Sequence, residues 1–352
     1  MAKQVLAVIF GGQSSEHEVS CKSAINVIKR INTERYELVL IGITKQGKWL
    51  LTDSVDQIKD GSWVNGKIRA IISPDAYEQA VVIEEEKKVY AKHVDVAFPV
   101  LHGRYGEDGT IQGLFEMAHI PYVGCGVLAS AVTMDKVYTK MIASHLGIDM
   151  APGIVVFADQ AREHMDEAVA RVEAALPYPV FIKPACEGSS CGVTRADDRE
   201  MLKKGLLVAA DHDKKILVEQ MIVGREVECA VLGGGKTQPQ ASGVGEILAA
   251  AQFYDYDAKY NNPDSKTVTD PDIAPEIVDR IRACAVAVFK AVDGYGMSRV
   301  DFFLQEDGTV VFNEINTIPG FTDISMYPML WEKAGLTGEE LVQTLINLAF
   351  ER

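Results

Sequence analysis

The stretch SRVDFFLQEDGTVVFNEIN, residues 298–316, limits what this chain can fold into more than any other. Two apolar runs, RVDFFL and TVVFNEIN, flank Asp307-Gly308, a dipeptide that favours a tight hairpin between strands. With those two residues as the turn, Glu306 pairs with Thr309, Asp301 lies opposite Glu314, and Arg299 lies opposite Asn316. Side chains alternate faces along a strand, so these last four share one face while Val300, Phe302 and Leu304 take the other. Two carboxylates directly opposite each other repel unless something cationic lies between them. A solvated acidic face is one explanation. The bulky apolar neighbours favour another: a hard-cation site in which Asp, Glu and Asn oxygens hold Mg²⁺ together with phosphate and water. Arg299 on the same face would bear on the anion that the metal holds.

At 352 residues the chain is long enough for two or three domains. A net charge of −15 argues against nucleic acid and against an anionic membrane surface as partners. No apolar stretch reaches about 18 residues, so no spanning helix is indicated. The opening MAKQVLAVIFGG reads as a strand running into a turn rather than a cleaved leader. Six cysteines, none in a Cys-x-x-Cys pair, fit a reduced, cytoplasmic chain. Cys186 and Cys191, in a glycine-rich loop, are the pair to test for a disulfide.

The first third alternates strands (4–10, 36–44, 94–103, and IPYVG at 120–124) with helices at 18–29 and 110–118, and residues 52–90 read as loops with a short hairpin. This alternation predicts an open, mostly parallel sheet whose ligands bind beyond the carboxyl ends of its strands. Then follow a helical stretch at 129–146, strand GIVVF, an amphipathic helix at 159–175, PVFIKPA, a helix at 198–209 and KILVEQMI. After Gly224 come the strands REVECAVLGG and ASGVGEI, a polar loop at 253–270, a helix at 274–292, the hairpin, and a last helix from Thr337. The expected segments are 1–124, 125–222 and 223–352.

Several short stretches carry chemistry. In PVFIKPACEGSSCGV, Lys183 sits on an apolar strand before a Gly-Ser loop, an arrangement that suits nucleotide phosphates. A snorkelling surface lysine is the plainer alternative. In VEQMI, Glu219 and the backbone of Gln220 and Ile222 could bind an adenine edge, or simply form a half-buried strand. LHGRYGEDGTIQG gathers charged groups and glycines after a buried strand; a turn with an N-cap at Asp108 or Thr110 has the same composition. In VIFGGQSSEHEVS, Glu16 near a helix start could bind a ligand or complement the helix dipole. Neither G-x-G-x-x-G nor a Walker A loop is present.

In chain order, GGQSSEHEVS, HGRYGEDGTIQG, SAVTMDK, FIKPACEGSSCGV, VEQMIVGREVE, FYDYDAKY, SRVDFF, NEINTIPGF and TDISMYP together resemble the D-alanine–D-alanine ligases of the ATP-grasp superfamily, over essentially the whole chain. The resemblance implies an α/β ATP-grasp fold of three domains: an N-terminal Rossmann-like parallel-sheet domain, and two α+β domains that clamp ATP. It implies two Mg²⁺ ions, with Mn²⁺ as a substitute, a homodimer, and a reaction in which D-alanine is phosphorylated on its carboxylate and then attacked by a second D-alanine.

By position, the resemblance makes Asp301, Glu314 and Asn316 the metal ligands and Lys136 and Lys183 the phosphate contacts. Glu219, Gln220 and Ile222 would hold adenine, Glu226 the ribose, and Phe253 and Lys259 would close over the nucleotide. Glu16 would anchor the first D-alanine's ammonium, with Ser189 and Tyr260 completing a Glu–Ser–Tyr link. His102 would lie near the acylphosphate, Arg299 and the Gly320 N–H would stabilise the tetrahedral oxyanion, and Ser325 and Met326 would receive the second D-alanine. Lys259-Tyr260 and Met326 favour D-alanine over D-lactate or D-serine as that second substrate. A nicotinamide-dependent dehydrogenase and a catalytically silent nucleotide-binding module are the rival classes.

Overall fold

The computed structural model describes residues 2–248 and 266–352. Phe253, Lys259 and Tyr260 therefore lie outside the described residues.

The first strand, β1 (Gln4–Gly11), is a continuous apolar run, and Leu6 to Phe10 are wholly buried. Such a run suits a strand covered on both faces. Leu6, Val8 and Phe10 join one core, whereas Ala7 and Ile9 join another. Strand β1 pairs in parallel with β2 (Tyr36–Ile43) and with β7 (Val96–Val100). The parallel expectation holds for these three and fails beyond them. Strands β3 (Trp49–Thr52), β4 (Arg69–Ile72), β5 (Ala80–Glu85) and β6 (Lys88–His93) extend the sheet with antiparallel pairs, in the order β6-β5-β4-β3-β2-β1-β7. The sheet is thus mixed, and residues 52–90, read as loops with a short hairpin, hold β4, β5 and the start of β6, of which β5 and β6 form a hairpin. Runs of four to six residues with charges on the outer face leave little sequence periodicity to detect.

A second sheet has the order β10-β9-β11-β8, from β8 (Gly153–Phe157), β9 (Val180–Pro184), β10 (Thr194–Ala196) and β11 (Lys215–Gln220). Helices Met165–Ala175 and Arg199–His212 cover it through Val169, Val172, Leu202 and Leu206. The helix expected over 159–175 is divided at His164, which leaves helical geometry, and the stretch 129–146 is divided at Asp135. The Asp135 carboxylate accepts from the backbone N–H of Val137 and Tyr138 and starts a new helix, Lys136–His145.

The third sheet has the order β14-β13-β12-β15-β16, all antiparallel, from β12 (Arg225–Gly234), β13 (Thr237–Leu248), β14 (Lys266–Val268), β15 (Gly296–Leu304) and β16 (Val310–Asn316). Strand β14 occupies part of the stretch read as a polar loop. Helix Pro275–Ala291 buries Ile281, Ala285, Val288 and Phe289 against this sheet, where Ala129 and Ala143 join them. Helix Met326–Lys333, not anticipated from sequence, packs on β12 and β13 on the side of Ala230, Leu232 and Ile247. Helix Gly338–Ala349 lies beside it against β15 and β7, so that Tyr327, Leu330, Leu341 and Leu345 join the core of Leu6 and Val8 between the first and third sheets. The segment between β16 and these helices is thereby drawn across the carboxyl end of β7. IPYVG contributes an isolated bridge, Ala97 to Tyr122, rather than a strand.

The β15–β16 hairpin corrects one expectation. Its loop holds three residues, not two: Gly308 N–H donates to Gln305 O, Gly308 has φ +85°, and Gln305 N–H donates to Thr309 O. Phe302 therefore pairs with Phe312, one residue out of the expected register. A bulge at Asn313 then restores it, so that Asp301 faces Glu314 and Arg299 faces Asn316. Two one-residue differences cancel.

Inserting one alanine between Asn313 and Glu314, beyond the single extra residue that the bulge absorbs, should turn Glu314 and Asn316 into the apolar layer of Val300 and Phe302. That burial costs at least about 3 kcal/mol. Asn313→Ala, which keeps the residue count, should cost no more than about 1 kcal/mol. Urea unfolding followed by circular dichroism compares the two, and equal midpoints would contradict this role for the bulge.

Candidate active site

A cleft of about 510 Å³ opens between the second and third sheets. Lys183 of β9 and Glu219 and Gln220 at the end of β11 line one wall, continued by Met221 and Ile222. Glu226, Phe303, Phe312, Asn313 and Glu314 line the other, and Lys136 and Lys140 reach in from helix Lys136–His145. Apolar panels beside three lysines are what a nucleoside polyphosphate requires: a flat apolar slot for the base and cations for the phosphates.

Buried Glu219 is held between two lysines, with Lys140 Nζ 2.7 Å from Oε1 and Lys183 Nζ 2.8 Å from Oε2. Burial alone would raise its pKa, but Lys183 and Lys140 outweigh that and bring it down to about 2. Burial lowers the pKa of Lys140 despite Glu219, whereas for Lys183 the attraction of Glu219 and Glu314 exceeds the cost of burial and raises it. Lys136 donates to Glu187 O at 2.7 Å and lies 3.5 Å from Glu314 Oε2. Lys140 was not anticipated, although it follows Lys136 by one helical turn and so shares its face.

Arg299 makes a bidentate pair with Asp301, Nε to Oδ1 at 2.8 Å and Nη2 to Oδ2 at 2.7 Å. Asn316 Nδ2 also donates to Asp301 Oδ2, at 3.1 Å. Glu228 of β12, another residue not anticipated, approaches Arg299 Nε to 3.1 Å. Burial opposes the charge on Arg299, yet Asp301 and Glu228 hold its pKa well above the ordinary value. The expected adjacency of Asp301, Glu314 and Asn316 is present. Among the described residues, no group of three or more His, Cys, Asp or Glu forms a ready-made metal cage. The donor set suits a hard cation that completes its shell with phosphate and water oxygens.

Glu16 and Ser189, far apart in sequence, meet: the Ser189 hydroxyl donates to Glu16 Oε1. Ser189 and Ser190 both have positive φ, 48° and 56°, a conformation that turns the loop onto the first domain. Gly188 and Gly103 flank the Glu16 carboxylate so closely that a Cβ at either would collide with Oε2. Burial, reinforced by Glu16, raises the pKa of the adjacent Glu107 to about 8, while Glu107 accepts from the N–H groups of Gly103 and Ile318.

His102 is buried, with both ring nitrogens engaged. Phe321 N–H donates to Ser23 Oγ, so the Ser23 hydroxyl proton is available to His102 Nε2, and Nδ1–H donates to Ile318 O. This network makes Nδ1 the protonated nitrogen, and burial keeps the ring neutral by lowering its pKa. Ser325 Oγ accepts from Thr322 N–H and would meet a Cβ at Gly320, and Met326 is buried against Gly245. Lys136, Lys183, Ser189, Glu219, Gln220, Ile222, Glu226 and Glu314 therefore share the cleft. Arg299, Asp301 and Asn316 form one contact group beside it. His102 lies just past the carboxyl end of β7 and is joined through Ile318 O to the segment after β16, which carries Gly320, Ser325 and Met326.

Glu219→Gln keeps the shape and leaves two buried ammonium groups without their carboxylate, which should destabilise the protein by about 3 kcal/mol at pH 7. Because the folded pKa is depressed, the carboxylate's contribution is present above the unfolded value near 4.5 and is lost as pH falls towards 2. Unfolding midpoints measured between pH 7 and pH 2 should show a flatter acid limb for the variant. An unchanged midpoint at pH 7 would contradict the triad's role.

Family models match on both sides of this site: D-ala D-ala ligase N-terminus over residues 5–125 and D-ala D-ala ligase C-terminus over residues 142–347. A D-alanine--D-alanine ligase from Ruminiclostridium cellulolyticum is 49% identical over 100% of this chain and 96% of the relative. Among solved structures, the VanG D-Ala:D-Ser ligase from Enterococcus faecalis superposes with a TM-score of 0.89 at 38% identity, covering 99% of this chain and 100% of that one. The D-alanine-D-alanine ligase from Coxiella burnetii gives 0.85 at 34% identity, covering 100% and 95%. The chain belongs to the D-alanine–D-alanine ligase family, with the ATP-grasp architecture of its solved relatives.

Proposed function

We propose that this chain joins two molecules of D-alanine into D-alanyl-D-alanine, a unit of peptidoglycan precursors, with cleavage of ATP to ADP and phosphate. The observation that carries this reading is the contact between Glu16 and Ser189, which brings a buried carboxylate against the loop that follows Lys183 at the edge of the three-lysine cleft. An amino acid whose ammonium rests on Glu16 would present its carboxylate towards the phosphate end of that cleft.

One carboxylate oxygen of the first D-alanine attacks the γ-phosphorus and ADP departs. The amine of the second, having lost a proton, attacks the acyl carbon, and the tetrahedral oxyanion collapses with release of phosphate. Lys136 and Lys183 bind the phosphates, while Glu219, Gln220 and Ile222 border the base and Glu226 the ribose. Asp301, Glu314 and Asn316 would hold two Mg²⁺, which supply charge compensation for the phosphates when bound. Arg299 and the Gly320 N–H stabilise the oxyanion, a task that needs donors fixed before charge develops. His102, neutral and held by Ser23 and Ile318, backs the segment that carries Gly320, and Ser325 and Met326 border the second amino acid. Phe253, Lys259 and Tyr260 keep their proposed closing role, and a cytoplasmic homodimer completes the reading.

The likeness to a D-Ala:D-Ser ligase favours D-serine as a second acceptor worth testing. Incubation with ATP and Mg²⁺ and D-alanine alone, or with added D-serine or D-lactate, should yield D-alanyl-D-alanine as the main product by mass. A mixed product in excess would overturn the acceptor assignment, and absence of any ADP-forming turnover would overturn the reading as a ligase.

A further inference from the structure

Glu228 of β12 lies directly opposite Asp301 of β15, and Asp301 lies opposite Glu314 of β16. Three carboxylates thus form a row across adjacent strands on one face, a placement that costs stability unless cations offset it. Arg299 sits against two of them. Its Nε is 2.8 Å from Asp301 Oδ1 and 3.1 Å from Glu228 Oε2, and the Glu228 side chain is only 12% exposed.

Asp301 is nearly fully engaged. Both of its oxygens are taken by Arg299, and Oδ2 also accepts from Asn316. Only Oδ1 keeps a lone pair, and a cation that takes it draws on the same negative charge that holds the guanidinium, which weakens the Asp301–Arg299 pair. A buried guanidinium that loses a bidentate partner either finds another carboxylate or shifts, and a shift of about 1 Å at a reacting centre costs about a hundredfold in rate. Glu228 is already within reach on the neighbouring strand, on the side of Arg299's own hydrogen-bonding edge.

We propose that Glu228 is a positioning residue for Arg299: the second carboxylate that keeps the guanidinium in place when Asp301 turns to a metal ion. The proposal rests on the roles of Arg299 and Asp301 given above. It distinguishes Glu228 from a third metal ligand, whose loss would weaken the metal itself. It also distinguishes Glu228 from a purely structural residue, whose loss would lower stability without a selective effect on turnover.

The test uses the full-length chain with Glu228→Gln, Glu228→Asp and Arg299→Ala. Mn²⁺ binding to the complex with ADP, followed by electron paramagnetic resonance, is measured beside kcat and the KM for ATP at saturating Mg²⁺. Glu228→Gln should leave the Mn²⁺ Kd and the KM for ATP within about threefold and lower kcat by about 10- to 100-fold. Excess Mg²⁺ should not restore that rate. Glu228→Asp, which keeps the charge and guards against a Gln variant that folds poorly, should fall between the two. An unchanged kcat in Glu228→Gln, or a rate restored by added Mg²⁺ together with a weakened Mn²⁺ Kd, would overturn the proposal. If Arg299→Ala itself turned over normally, the role assigned to Arg299 would fail first; a deficient Arg299→Ala beside a normal Glu228→Gln would sink the positioning role alone.

Discussion

The extra residue at Asn313 governs which face of the third sheet is charged. Side chains in a strand alternate, so a one-residue slip moves every later side chain to the opposite face. With the three-residue loop at Glu306–Gly308 and no bulge, Glu314 and Asn316 would point among Val300, Phe302 and Phe312, where no water or cation could reach them. The bulge returns both to the face of Arg299 and Asp301 and leaves Asn313 lining the cleft beside Lys183. Bulges that re-aim side chains recur next to active sites for this reason.

From that placement follows a problem of charge. Glu228, Asp301, Glu314 and Glu219 are all mostly withdrawn from water, and an isolated buried carboxylate costs several kcal/mol. Each is instead offset by a cation: Asp301 by Arg299 of its own strand β15, Glu228 by the same Arg299, Glu314 by Lys136, and Glu219 by Lys140 and by Lys183 of β9. The lysines proposed to bind phosphate are thus also the groups that offset Glu219 and Glu314 where the two sheets face each other. Binding a nucleotide and metal would redistribute these pairings rather than create them, which keeps the site's donors preorganised.

Much of this was legible in the sequence where strong local chemistry coincided with periodicity. The β1 run, the Lys183 strand and the Asp301–Glu314 opposition all belong to that kind. The hairpin shows its limit, because the loop length was misjudged by one residue and the bulge hid the error: nothing in TVVFNEIN marks Asn313 as the residue that bulges. Short strands β4 to β6 carry charges on their outer positions, and only a short hairpin among loops could be read there. Lys140 and Glu228 matter through partners on other elements, Glu219 and Arg299, which a linear reading does not connect. The contact of Glu16 with Ser189 spans 173 residues and was reached through family likeness, not through any pattern near either residue.

The central claim is that the site activates an amino-acid carboxylate by transferring phosphate to it. D-alanine labelled with ¹⁸O in both carboxylate oxygens, turned over with unlabelled ATP in unlabelled water, tests this directly through the mass of the released phosphate. The oxygen that attacks phosphorus must leave with phosphate when the second amine displaces it, so each phosphate should carry one ¹⁸O for every dipeptide formed. Phosphate free of label, beside labelled dipeptide, would mean that ATP is cleaved by water and that the carboxylate is activated in some other way.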